Sequence, residues 1–305
     1  KGPEQSENML EDLSGAGSHF IVGLEGPHLS AEEGVLLEQL RPAGIILFAK
    51  NIIADSAADW ISALRKLIAD ARQAAGREHL LVSVDHEGGR VHRFREPVTH
   101  FPHARCFGEN SRAVGRAMGL ELRELGFNLS FAPVLDVHSE EKNPVIGLRA
   151  FGTAAQECAQ YAVAFAEGLE SAGVLSCGKH FPGHGATVTD SHFELPVLSL
   201  DEGELFSREL IPFAAFIAGG FPLMMTAHVH YPALDAASPA TLSALLLRRL
   251  LRQKMHFQGA VISDDLEMAA LREIAPGERA YRALTAGVDL LLVGYPKVTS
   301  ALRLA

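Results

Sequence analysis

The sequence predicts an α/β chain folded as one (β/α)8 TIM barrel, and three observations predict it. Eight apolar, β-rich runs recur along the 305 residues, each ending in polar residues or glycine. Helical patterns, apolar at three- and four-residue spacing, fall between them. The length suits eight strand–helix units and leaves no room for a second domain.

The strand-like runs are 19–26, 44–49, 80–85, 128–136, 173–180, 222–228, 259–264 and 289–294. Near-continuous hydrophobicity, as in Leu290-Leu291-Leu292-Val293, is what strands buried on both faces of a parallel sheet require. A helix is expected over 57–75, with Trp60, Leu64, Leu67 and Ile68 on one side. Others are expected over 108–125, 154–172, 201–218 and 241–255. Thr153 and Asp201 are plausible N-caps, and Gly126 and Gly173 plausible stops. A doubly wound sheet would need a glycine-rich phosphate turn after its first strand, and Gly23-Leu24-Glu25-Gly26-Pro27 does not supply one. The expected domain is 1–305, with 1–15 as an N-terminal extension and only the start of an eighth helix after 294.

A net charge of −10 with no basic run argues against a nucleic-acid surface. Cys106, Cys158 and Cys177 are scattered, odd in number and without metal spacing, as in reduced thiols of a cytoplasmic protein. No apolar run reaches the length of a membrane span, and no signal peptide is expected before the first strand. Oligomeric state is not legible.

The densest chemistry lies in Lys179-His180-Phe181-Pro182-Gly183-His184-Gly185, continued by Asp190-Ser191-His192. Proline and glycine force a loop after the fifth strand, and that loop carries one lysine, three histidines and one aspartate. The spacing Asp190-x-His192 lets a carboxylate accept an imidazole N–H and fix the tautomer. Other strand ends bring Asp85-His86-Glu87, Asp136 with Arg149 beyond it, Thr226-Ala227-His228, and Ser263-Asp264-Asp265. A rim so rich in charge and poor in aromatics suits a small polyhydroxylated ligand. No His-x-His or His-x-x-x-His pair falls within an expected strand or helix, and Lys179 adds positive charge where a cation would go. No metal and no cofactor is therefore expected.

At these residues the chain resembles glycoside hydrolase family three, specifically its single-domain bacterial β-N-acetylglucosaminidases of peptidoglycan recycling. The likeness runs from about Phe20 to Gly294 and includes Asp85-His86-Glu87-Gly88-Gly89-Arg90-Val91, Phe131-Ala132-Pro133-Val134-Leu135-Asp136-Val137, Asn143-Pro144-Val145-Ile146-Gly147-Leu148-Arg149, the histidine loop and Ser263-Asp264-Asp265-Leu266-Glu267-Met268. His86 stands where glutamine is usual, and Ala150 where serine is usual. The resemblance implies a retaining mechanism with Asp264 as nucleophile, His192 as acid/base and Asp190 as its partner. Asp85, Arg93, Arg149, Lys179 and His180 match residues that bind the innermost sugar, with His228 and Met268 near it. The implied ligand is a terminal β-linked N-acetylglucosamine of a muropeptide.

Chemistry agrees. An imidazolium held by Asp190 can protonate a leaving oxygen and then act as base toward water, and Asp264 is expected to face Arg149 and Lys179 and stay ionised. Phosphorolysis of the same bond, since neutral imidazole does not repel phosphate, and a non-catalytic sugar-binding barrel stand as alternatives. The segment 183–191 is expected to lack large apolar anchors and to move, leaving His192 far from Asp264 without sugar.

Overall fold

A computed structural model describes residues 15–52 and 59–294. The expectations for 1–14, for 57–58 and for the start of an eighth helix lie outside these residues. All eight expected strands are present: β1 (Phe20–Gly23), β2 (Gly44–Leu47), β3 (Leu81–Val84), β4 (Leu129–Ser130), β5 (Leu175–Phe181), β6 (Leu223–Thr226), β7 (Ala260–Ile262) and β8 (Leu291–Val293). Each pairs in parallel with its sequence neighbour, and β8 returns to β1. The β7–β8 seam is joined by the parallel bridge Ile262–Leu290 and by Leu266 N–H donating to Leu292 C=O at 3.0 Å. The result is a (β/α)8 barrel. β4 is shorter than its apolar run suggests because Pro133 has no N–H to give the ladder.

Alternation along the strands separates two cores. Ile21, Ile46, Leu129, Cys177, Leu223, Met225, Ile262 and Leu292 fill the barrel interior. Val22, Val82, Val84, Met224, Val261 and Leu291 face the helices instead. That parity fixes where each polar residue beyond a strand end points.

The helical layer includes α1 (Ala31–Leu40), α2 (Trp60–Ala75), α3 (Ser111–Leu125), α4 (Ala155–Ser171), α5 (Ile211–Ala218), α6 (Leu245–Lys254) and α7 (Pro276–Ala286). Trp60, Leu64, Leu67 and Ile68 of α2 are buried as expected. Gly126 ends α3 in the left-handed conformation, and Gly173 lies beyond the α4 cap at φ 83°. Ala154, not Thr153, occupies the N-cap of α4, and its side chain offers no acceptor. Asp201 caps as expected, accepting from Glu204 N–H at 2.8 Å. The helix expected from it is not continuous: a π-wound stretch, Leu205–Glu209, precedes α5. Pro212 explains this, because it cannot donate to the preceding turn. The run expected from Thr241 starts as a short 3-10 turn and becomes the π-wound α6. All three cysteines are free thiols. Among the described residues, no helix is long and apolar enough to cross a membrane.

Candidate active site

One cavity of about 310 Å³ opens at the C-terminal strand ends, at the small end of the ligand-pocket range. Asp85, Arg93, Arg149, Lys179, His180, Asp190, His192 and Asp264 all line it, together with Glu87, Arg90, His184 and Ser191.

Parity accounts for the inward groups. Leu81 packs toward the interior, so Asp85 and Glu87, an even number of residues on, follow it. Leu175 and Cys177 likewise direct Lys179, and Ala260 and Ile262 direct Asp264. His180 would turn outward by the same rule. The β5–β6 register shift between Gly178 and Phe181 re-aims it, so both Lys179 and His180 reach the wall.

Three polar assemblies build the wall. In the first, Glu87 accepts two parallel bonds from Arg149, at 2.9 Å from Nε and 2.8 Å from Nη2, and lies 2.7 Å from Lys179 Nζ. Lys179 also donates to Asp85 at 2.8 Å. Burial would raise the Glu87 carboxyl, but Arg149 and Lys179 hold it well below the usual carboxylate range. Burial would likewise lower Lys179, and the charges of Asp85 and Glu87 raise it. The pairing therefore favours the charged forms of Glu87, Arg149 and Lys179. In the second, buried Asp136 accepts from His180 Nδ1 and from the backbone N–H of His184, both at 2.7 Å. Asp136 therefore leaves His180 Nε2 free for the cavity.

The third is the dyad. His192 Nδ1 lies 2.7 Å from Asp190 Oδ1, which also accepts the His192 backbone N–H at 2.8 Å. These bonds outweigh burial and keep the Asp190 carboxyl low. His192 remains largely exposed, 60 % of its side chain being open. The 183–191 segment lacks large apolar anchors, as expected, but it is held by polar ones. His184 contacts Ser191 Oγ at 3.1 Å and Thr187 Oγ1 at 2.8 Å, and Asn143 donates to His184 C=O at 2.8 Å. His192 and Asp264 both line the cavity in this conformation.

Asp264 accepts from the backbone N–H of Asp265 at 2.8 Å. Burial pushes its carboxyl up, but His228, His180, that N–H and Lys179 together hold it below its ordinary value. Arg149 was expected to serve here; its guanidinium is committed to Glu87 instead. Asp265 does not line the cavity. Burial pushes its carboxyl up to about 7.

Two expected sugar-binding residues lie off the wall. His228 shares parity with Met224 and Thr226, so it turns toward the helices and contacts Thr241 Oγ1 at 2.8 Å. Its other nitrogen donates to Asp265 C=O at 2.8 Å, leaving neither for a ligand. Met268 belongs to the turn after β7, its N–H given to Asp265 C=O at 3.1 Å. Glu87 is the main residue that the sequence reading passed over, although its i+2 spacing from Asp85 announced it.

A half-buried carboxylate and a carboxylate–imidazole dyad lining one cavity, at the top of a (β/α)8 barrel, fit the two-group chemistry of a glycoside hydrolase. The chain belongs to glycosyl hydrolase family 3: residues 16–304 match that family's N terminal domain. It is 41% identical over 293 residues to a β-hexosaminidase of Methylococcus capsulatus, covering 92% of this chain and 84% of that one. A β-N-acetylglucosaminidase of this family from a Paenibacillus species superposes with a TM-score of 0.88 at 37% identity, over 95% of this chain. The present chain spans only 56% of that protein. NagZ from Neisseria gonorrhoeae, solved with N-trifluoroacetyl-D-glucosamine, gives 0.84 at 35% identity over 94% of this chain and 84% of its own. The gonococcal protein has also been solved with a zinc ion. Among the described residues here, no group of three or more His, Cys, Asp or Glu side chains is gathered to hold a metal.

Proposed function

We propose that this chain is a retaining exo-β-N-acetylglucosaminidase that releases terminal β-linked N-acetylglucosamine through a covalent glycosyl-enzyme. One observation carries the reading: a half-buried Asp264 held in its ionised form and the Asp190–His192 dyad line the same small cavity. In the first step an Asp264 carboxylate oxygen bonds to the anomeric carbon as the bond to the leaving oxygen breaks, and protonated His192 gives its proton to that oxygen. In the second, neutral His192 takes a proton from water, whose oxygen displaces Asp264. Asp190 stays charged throughout and stabilises the imidazolium. Asp85, Lys179, Arg149 and Arg93 would hold the sugar hydroxyls with charge-assisted bonds.

The N-acetyl sugar is supported by the name of the Paenibacillus β-N-acetylglucosaminidase and by the N-acylated glucosamine bound to the gonococcal protein. The muropeptide aglycone and the role in cell-wall recycling rest on the family resemblance; a cytoplasmic location rests on the scattered free cysteines, and the assignment of the whole chain to one domain on its length. Substrate-assisted catalysis by the acetamido group would need a second carboxylate to orient that group. Asp265, with its carboxyl turned to Glu267 N–H at 3.0 Å, is not on the wall to do so.

The test is a fluorosugar inactivator followed by peptide mass analysis, with release of free sugar measured with and without phosphate. A label on Asp264 and free N-acetylglucosamine in both buffers are expected. An unlabelled enzyme inhibited instead by a thiazoline mimic of the cyclised acetamide would sink the covalent route.

A further inference from the structure

Four of the nine exposed large hydrophobic residues among those described sit on two strand-end loops: Leu148 after β4, and Val188, Phe193 and Val197 after β5. The other five are scattered one apiece over α1, α3, the π-wound stretch before α5, α6 and α7. Single exposed apolar residues on helices are ordinary, but four on the two loops that carry Arg149 and His192 into the cavity point to a contact there. Phe193 is 73 % exposed and directly follows His192. Its N–H is tied to Asp190 C=O at 3.0 Å, so the turn that sets the dyad also sets this ring. Phenylalanine has no polar atom to hold in water, which leaves its exposure unexplained by solvation.

We propose that Phe193, with Val188 on the same loop, is the platform on which the leaving-group sugar ring of the proposed substrate lays its C–H face. The inference rests on the glycosidase reading and deepens it. A cavity of about 310 Å³ takes the terminal sugar and little more. His192 must meet the glycosidic oxygen, so whatever is bonded to that oxygen emerges beside His192, where the next side chain is Phe193. The cavity lining mixes charged groups with Val91, Val145, Met225 and Leu292, while Phe193 and Val188, outside that lining, add exposed apolar surface on the loop that carries His192; this suits a ring with hydroxyls at its rim and C–H groups on its face. Binding energy from this remote ring would be used to seat the reacting bond.

The experiment compares Phe193→Ala and Phe193→Tyr with the wild type on a β-1,4-linked N-acetylglucosamine disaccharide and on the methyl β-glycoside. Phe193→Ala should lose about tenfold in kcat/KM on the disaccharide, chiefly through KM, with the methyl glycoside unchanged and Phe193→Tyr close to wild type. Equal losses on both substrates would overturn the proposal, since Phe193 would then merely support the turn. So would unchanged kinetics on both, or unchanged kinetics with a shift in oligomeric size, which would make this face a contact between copies. If wild-type protein cleaves neither substrate, the glycosidase reading has failed, and calorimetry decides the platform independently. Phe193→Ala should then abolish the binding advantage of the disaccharide over free N-acetylglucosamine; an advantage retained in the variant refutes the platform.

Discussion

Asp264 and Asp265 are adjacent, yet alternation sends one into the cavity and the other toward the β8 side, where burial pushes it up to about 7. On the proposed covalent mechanism, Asp264→Asn removes the nucleophile and should lower kcat on the order of 10³-fold or more. Asp265→Asn should stay within about tenfold, since an amide resembles the protonated carboxyl. Steady-state turnover of an aryl glycoside separates the two. A second expectation concerns Glu87, which joins Arg149 and Lys179 and is almost wholly buried. Glu87→Gln leaves two buried cations short of a counter-charge, with Asp85 the remaining partner of Lys179. It should cost on the order of 3 kcal/mol in stability and raise KM for the sugar, read by denaturant unfolding and by kinetics. Parity made much of this legible: Asp85, Lys179 and Asp264 lie in step with inward-facing strand residues. The same count, carried through, picks out Glu87 and turns His228 away. His180 was not countable, because the register shift that re-aims it leaves no mark in the sequence.

At the scale of elements, the histidine loop is held by close backbone approach as well as by polar anchors. A Cβ on Gly185 would lie 1.6 Å from the carbonyl oxygen of Val137, so the loop can pass there only without a side chain. Gly185→Ala should lift the loop and carry His192 out of register. The expected result is a large loss of kcat on poor leaving groups, a smaller one on activated aryl glycosides, and a near-wild-type far-UV circular dichroism spectrum. Equal losses on both substrate types would show that the loop governs sugar binding rather than protonation. The loop's boundaries were legible from its prolines and glycines, but its anchorage was not, because His184, Thr187 and Asn143 meet only after folding. Two helices were passed over for a different reason. α1 has low amphipathic contrast but begins with the box Ser30–Glu33, and α7 begins at Pro276; both start signals stand in the sequence. The π-wound stretches follow from backbone fit around Pro212 and in α6, which side-chain periodicity does not encode.

For the whole molecule, the acid limit of stability is set partly by imidazoles buried in the neutral form. The parity that turns Asp85 and Glu87 inward turns His86 toward the helices. It is 1 % exposed there, and its ring lies 5.1 Å from His92 and 5.0 Å from Phe94. Burial, with His92 and Arg93 nearby, pushes it down to about 3, against the weaker opposing charge of Glu87. Burial and His180 push His184 down to about 4. The unfolded chain takes up protons at both positions near 6.5, whereas the folded chain resists until far lower pH. Stability is therefore intact above about 6.5 and falls as pH drops toward 3 or 4. Asp265, whose folded carboxyl is raised, works in the opposite direction between its unfolded value and about 7, so the total slope mixes signs. A variant comparison isolates one group. His86→Gln, which keeps a polar side chain without a titratable ring, should lose less stability than the wild type between pH 6.5 and 4.5. The difference expected for one such histidine is on the order of 2 kcal/mol, read as the change in the urea midpoint at each pH. Parallel pH dependences for the two proteins would mean that His86 is protonated in the folded state, and that its packing against His92 and Phe94 does not exclude charge.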